Sequence, residues 1–440
     1  MPSGFTFIAV GDCIMSRPLG ATVAADPEFA RVIALLRSAD LRYGNLETTI
    51  VDLDTFTGSP YSWDADWTLA SHPGVAPDLA GLGLQIVSRA NNHALDWGLE
   101  GMLETSRRLD EAGIVHAGVG RHGGLARSPR YLELPQGRVG LVSFASTFRP
   151  TSEALHYCGA APGRPGVSAL AIETTHLVER ELYAALTALG PDSGDVITRF
   201  GVRFAPAQQR AMRYEPDEND LADILKNIRL AAQHSDFVIA ALHAHQAENE
   251  WESGLQILRP AAFVSDVARA AIDAGAAAFV TTGNHNVGSI EIYRGKPIFT
   301  GLGNFFWSDI QEPLSAELHQ LPANRRLLAE AFEYPRRATD ADLSAIVNAT
   351  GGFANEFTFE TVVPRAVYQS TPDGDLCLSE LAIYPVSLRY GERLTRSGIP
   401  APPGPRQAKK ILADLMEMSP TVDIRVVEDD GWVHGRVNVA

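Results

Sequence analysis

Apolar runs that end in polar clusters recur along this chain, and helical patterns separate most of them. TFIAV runs into GD at 11–12, and DLRYGNLE ends on GNLE at 44–47. LQIVS is followed by NNHALD at 91–96, FVIAAL by HAH at 243–245, and AAFVTT by GNHN at 283–286. Helical patterns appear in EFARVIALLRSA, PGVAPDLAGLG, LEGMLETSRRLDEAG, DLADILKNIRLAAQHS and FVSDVARAAIDAGA. Strand and helix in alternation predict an α/β fold with helices on the sheet faces. GDCIMSR reads as the loop that leaves the first strand.

Two stretches break the rhythm. Residues 150–220 read as an insertion or cap. Within them AIETTHLVERELYAALTALG reads as a helix stopping at Gly190, and the segment from Pro191 to Asp220 reads as irregular and charged. Residues 308–357 form a second irregular insertion. IEIYRGKPIFTGLGNFFW predicts a hairpin turning at RGKP, and a late antiparallel pair is expected around TPDGD. APPGPRQAKKILADLMEMS reads as a Pro-rich linker into a closing helix, so 401–440 is helix and tail. The motifs lie in both strand-bearing blocks, so 1–440 reads as one elaborated catalytic domain.

Composition narrows the partners. The 37 Lys and Arg against 53 Asp and Glu give a net charge of −16, a field that disfavours nucleic acid and anionic membranes. The N-terminus lacks a basic run and a long apolar stretch, so a cytoplasmic protein with no membrane partner is expected. Cys13, Cys158 and Cys377 are too few and too far apart for a disulfide framework or a cysteine zinc site.

The five clusters share one chemistry: Asp, Glu, Asn and His. In open α/β sheets, ligands bind at the carboxyl ends of strands. These side chains are the oxygen and imidazole donors of hard and borderline divalent ions. Taken singly, each has an ordinary reading. GD makes a turn, Asn92 or His93 caps a helix, Asp96 is a first-turn carboxylate, and His285 is a hydrogen-bonded histidine. Five together at strand ends point to a shared metal or acid–base site. His243 and His245 share one strand face, and either suits a ligand. The donor set admits Ca, Mn, Zn or Mg. Asn91 reads as a turn or cap residue. The remaining histidines (72, 116, 122, 156, 176, 234, 319 and 434) lack a matching constellation and read as structural or surface residues.

The order of Asp12 and Arg17, DLRYGNLET, NNHALDWG, LHAH and IEIYRGKPIFTGLGNFFW resembles the CapA family. That family is named for poly-γ-glutamate capsule synthesis and is similar in fold to calcineurin-like metallophosphoesterases. The resemblance spans roughly residues 5–148 and 220–307, with a weaker tail near 358–390. It implies a four-layer αββα sandwich with insertions, and a metal site between the sheets. It implies Asp12, Glu47, Asn92 and His243 as metal-shell residues; the HAH spacing itself adds His245 as a metal candidate. It places His93 as the acid–base histidine, supported by Asp96. Where the family carries a GHHPH-like run, this chain keeps only the last histidine, His285; Thr282 and Gly283 stand at the earlier two positions.

Three functions follow. The first is acid–base chemistry on a peptide substrate. Some soluble proteins resembling this family epimerise a residue of lasso-type precursor peptides. Epimerisation needs two acid–base groups and anion stabilisation. His93 and His285, steadied by Asp96 and Asp12, would supply the groups. Arg203, Arg213, Tyr214 and Trp307 would line a peptide cleft. The second is metal-dependent hydrolysis of a phosphoester or of a γ-glutamyl or peptide bond. The third is a non-enzymatic factor in poly-γ-glutamate synthesis.

Overall fold

The computed structural model describes residues 4–61, 68–191, 194–248, 259–308, 319–350, 355–371 and 376–439. Two sheets face each other. In the first, parallel strands Phe5–Met15, Leu41–Leu46, Ile86–Ser88 and Val115–Ala117 lie side by side, and the antiparallel Glu360–Ser370 and Leu376–Ser387 extend it past Phe5–Met15. In the second, Gly137–Ala145, Phe237–His243 and Ala278–Thr282 run parallel, with the Ile290–Tyr293 and Lys296–Phe299 hairpin at one edge.

The layers follow from the alternation of side chains along each strand. Phe7 and Ala9 point into the space between the sheets, where they meet Leu141, Ile239 and Ala241. Their neighbours Ile8 and Val10 point outward onto helices Pro27–Arg37 and Val75–Leu82, through Phe29, Val32, Val75 and Leu79. On the far side Val238, Ala240 and Leu242 pack on helices Glu218–His234 and Ala262–Asp273, through Ile224, Ile228, Val264 and Val267. Helix, sheet, sheet, helix is the αββα order that the resemblance implied. Phe237 joins the sheets at the centre, with its ring 5.1 Å from Phe5, 5.4 Å from Phe7 and 5.0 Å from Tyr368. Such tilted and edge-on pairs each add about 0.5–1.5 kcal/mol beyond their buried area.

Several expectations are corrected. GDCIMSR is not a loop: the first strand continues to Met15 by changing partner. Its pairing with Leu41–Leu46 shifts register between Ala9 and Asp12, and from Asp12 on it also pairs with Asn304–Ser308. Gly11 allows this change, because a β-carbon there would sit 1.8 Å from the Gly303 carbonyl oxygen. AIETTHLVERELYAALTALG is only half helix. Ile172–Glu179 is a strand, paired on both edges, and the helix is Arg180–Thr187. Helical spacing in its second half masked the β-branched Ile172, Thr174 and Thr175, and pairing with Val202–Ala207 and Ala211–Pro216 decided the outcome. Those partners, with Ile197–Arg199, give the expected irregular segment a four-stranded sheet of its own.

In the second insertion, Pro322–Ala331 and Asp340–Thr350 are helices that pack through Leu328 and Leu343; residues 309–318 and 351–354 of that expectation lie outside the described residues. The late antiparallel pair is present, with its turn at 372–375 outside the described residues. After the closing helix Pro405–Met418, the tail is a hairpin, Ile424–Asp429 and Trp432–Val437, added to the first sheet's edge.

Candidate metal and acid–base centre

The parallel strands of both sheets end at one side, and there the five clusters meet. Asp12 is fully buried at the partner change of the first strand. Its carboxylate accepts from Asn45 Nδ2 at 2.7 Å and from the Gly283 backbone N–H at 3.0 Å, and lies 3.5 Å from Nδ1 of His285. Burial alone would raise its pKa. The hydrogen bond and charge of His285, with the Asn45 bond, outweigh burial and hold it well below the usual carboxylate range.

His243 closes its strand with both ring nitrogens engaged. Nδ1 lies 3.3 Å from Asn45 Nδ2 and 3.2 Å from Thr282 Oγ1. Nε2 lies 2.9 Å from Asn92 Oδ1, 3.1 Å from Nε2 of His245 and 3.5 Å from Glu47 Oε1. Burial, reinforced by neighbouring imidazoles, holds His243 well below its ordinary pKa and His245 down to about 3. Both rings are therefore neutral at pH 7, the form in which imidazole binds a metal.

His285 adopts a left-handed backbone, φ +55, a conformation uncommon outside glycine. Its ring is 2.8 Å through Nδ1 from Asn304 Oδ1, 5.8 Å from the His245 ring and 5.0 Å from Trp307. Gly283 cannot carry a side chain without collision, since a β-carbon would fall 2.8 Å from the His243 ring. Thr282 and Gly283 thus contact His243 and Asp12 directly and support them.

Two groups of donors emerge, each with ligand atoms within 4.8 Å of one another: Asp12, Glu47 and His243, and Glu47, His245 and His285. Buried carboxylates beside the neutral rings of His243 and His245 fit a divalent cation, which would bring the positive charge that such carboxylates favour. Asn92 adds an amide oxygen at His243. His285, read from sequence as an acid–base group, thus also stands among the metal-type donors.

His93 and Asp96 form a separate pair beside them. Nδ1 of His93 is 2.7 Å from Asp96 Oδ2, and both side chains are buried. Asn91 braces this loop. Its Nδ2 donates to Leu46 O at 2.8 Å and its Oδ1 accepts from His93 N at 3.1 Å, a turn role as expected. Asn45, Asn304 and Arg149 were not singled out from sequence. The two asparagines lie inside quoted motifs, where only their register neighbours marked them. Arg149 follows strand Gly137–Ala145 in a stretch with no motif. Cys13 is fully buried: burial pushes its thiol well up, and the charges of Asp12 and Glu47 add to this. The expected cleft residues Arg203, Arg213 and Tyr214 lie in the four-stranded sheet, where Arg203 pairs with Glu173 and Arg213 with Glu215; Trp307 stands against His285.

The sequence model of the family described as "Bacterial capsule synthesis protein PGA_cap" matches residues 6–308, more than half of the chain and all residues of this centre. The chain belongs to this family. An uncharacterised protein of Sinorhizobium fredii, y4sH, is 39% identical over 97% of this chain and 92% of its own length. A Mycobacterium tuberculosis protein named as a probable polyglutamine synthesis accessory protein is 27% identical over 59% of this chain and 53% of its own. A Staphylococcus aureus structure designated a 5′-nucleotidase, solved with alpha-ketoglutarate, aligns at 11% identity and TM-score 0.40, covering 94% of this chain and 58% of that one. Among the described residues, no helix of this family member is long and apolar enough to cross a membrane.

Proposed function

We propose that this chain is a divalent-metal-dependent hydrolase of a peptide-type bond, with γ-glutamyl linkages as the substrate class. The observation that carries this reading is Glu47, whose carboxylate belongs to both donor groups. A carboxylate common to two groups is the arrangement of a two-ion site. When bound, such ions polarise the scissile group and lower the pKa of water. Asp12, Glu47, Asn92, His243, His245 and His285 would hold them. His93 moves the proton: Asp96 engages Nδ1, so Nε2 is the nitrogen that serves the leaving group. Asp96 sets the tautomer and the ring plane. The γ-glutamyl class rests on the resemblance of the sequence to poly-γ-glutamate capsule proteins; the family description names capsule synthesis, and the name of the Mycobacterium relative gives polyglutamine synthesis.

A second reading, Cα epimerisation of a residue in a lasso-type precursor peptide, is favoured by a different observation. Two imidazoles are each steadied at Nδ1 by a separate partner, His93 by Asp96 and His285 by Asn304. Removing a proton from one face and returning it to the other needs two such groups.

One experiment separates the two. Protein loaded with Mn, Zn or Ca is incubated with γ-glutamyl oligopeptides, candidate precursor peptides and a phosphodiester, in heavy-oxygen water and in D2O. Heavy oxygen in a cleaved γ-glutamyl product supports the first reading. Deuterium at Cα of an uncleaved peptide supports the second. Cleavage of the phosphodiester alone overturns the substrate class, and neither cleavage nor exchange with any metal sinks both readings.

A further inference from the structure

We infer that Arg149 is a positioning residue for His93, joining the acid–base pair to the strand end that carries the metal-type histidines. The inference rests on the reading of His93 as the proton-transfer group. Arg149 is buried, and its Nη2 lies 3.0 Å from Asp96 Oδ1 while Nη1 donates to the Tyr61 carbonyl. Asp96 is therefore surrounded by donors. Its Oδ2 accepts from the Leu69 backbone N–H at 2.6 Å and faces His93 Nδ1 at 2.7 Å, and its backbone carbonyl accepts from Tyr61 N. With Oδ1 held by the guanidinium, the carboxylate cannot rotate about its Cβ–Cγ bond without breaking an ion pair. The plane of that carboxylate fixes the direction of the His93 Nδ1–H bond, and so the place to which Nε2 points.

The other end of the link is equally specific. Arg149 follows Ser146 and Thr147, whose contacts run to the histidine strand end. Ser146 N donates to the His243 carbonyl at 2.9 Å, and Thr147 Oγ1 accepts from the His245 backbone N–H at 2.8 Å. Gln246 clamps the same stretch, its Oε1 accepting from Ser146 Oγ at 2.8 Å and its Nε2 donating to the Ser146 carbonyl at 3.2 Å. The Arg149 carbonyl is held by Ser152 through both N–H and Oγ. Four consecutive residues thus contact His243 and His245 at one end and Asp96 at the other. A planar guanidinium suits this role; a lysine ammonium can replace its charge but not its two-directional fork.

The test uses metal-loaded full-length protein with nitrogen-15-labelled histidines. The His93 Nδ1 proton is assigned by its disappearance in His93→Gln, and its exchange with water is followed by NMR. Arg149→Met is expected to speed that exchange by about tenfold or more, with Arg149→Lys intermediate and with added guanidinium restoring protection to Arg149→Ala, as for other residues that orient a catalytic imidazole. Zinc affinity, measured by calorimetry, is expected to stay unchanged, because Arg149 belongs to neither donor group. Unchanged exchange in folded Arg149→Met and Arg149→Ala overturns the inference. So does a loss of zinc affinity that parallels the exchange change, or acceleration that neither lysine nor guanidinium reverses. Failure of the hydrolase reading is seen separately: wild-type protein inert toward every substrate while the His93 proton still responds to Arg149.

Discussion

Glu47 Oε1 stands 3.5 Å from Nε2 of His243, with both side chains sealed from solvent. One residue comes from the GNLE end of an early strand and the other from the HAH end of a late one, in opposite sheets. Their meeting turns scattered polar strand ends into one centre.

His93→Gln is expected to lower turnover by about 10²–10⁴-fold, the usual contribution of a positioned acid–base group. Metal content should not change, since His93 belongs to neither donor group. Steady-state kinetics beside metal analysis checks this. Retained turnover removes His93 from the chemistry.

Gly283→Ala places a β-carbon 2.8 Å from the His243 ring at a residue with φ +103. The backbone strain alone costs about 1–3 kcal/mol. The variant is expected to be less stable in urea and to bind metal more weakly, because His243 must move. A change in stability with unaltered metal affinity would show that the ring adapts elsewhere.

Acid should destabilise the metal-free protein through buried histidines. His116, away from the centre, is held down from 6.5 to about 3 by burial, with the charges of Arg89 and Arg130 adding to it. Its folded pKa lies below its unfolded one, so the unfolded chain binds the extra proton. The stability is full above about pH 6.5 and is lost as pH falls from 6.5 toward 3. His116→Gln should flatten that loss by up to about 1.4 kcal/mol per pH unit. Urea unfolding at pH 7 and pH 5 reads the slope in both proteins.

Phe237→Ala opens a cavity where three aromatic rings meet between the sheets. A loss of about 3–5 kcal/mol is expected by denaturant unfolding. A loss under 1 kcal/mol would show that the two sheets close over the gap.

Much of this architecture is legible in the chain because period-two alternation and helical spacing directly encode which face is buried. Ile8 and Val10 against Phe7 and Ala9 give both outer and inner layers of one strand. Reading failed where pairing partners, rather than local pattern, decide. The strand at Ile172–Glu179 is set by two neighbours, and the continuation of the first strand through Asp12 is set by the distant Asn304–Ser308. The same holds in the centre. His93 and Asp96 lie three residues apart and were visible as a pair. Asn45, Asn304 and Arg149 reach Asp12, His285 and Asp96 from distant parts of the chain. The two asparagines sit inside motifs whose pattern does not assign them these partners, and no motif surrounds Arg149.

The central claim is that Glu47 serves two donor groups at once, and bound metal per chain tests it most directly. Elemental analysis of protein reconstituted with Mn or Zn and freed of excess ion should give about two equivalents for the natural chain, as in two-ion sites. It should give less than about one for Glu47→Gln, whose neutral amide cannot serve both groups. One equivalent or none in the natural chain, or two retained by the variant, would contradict the account.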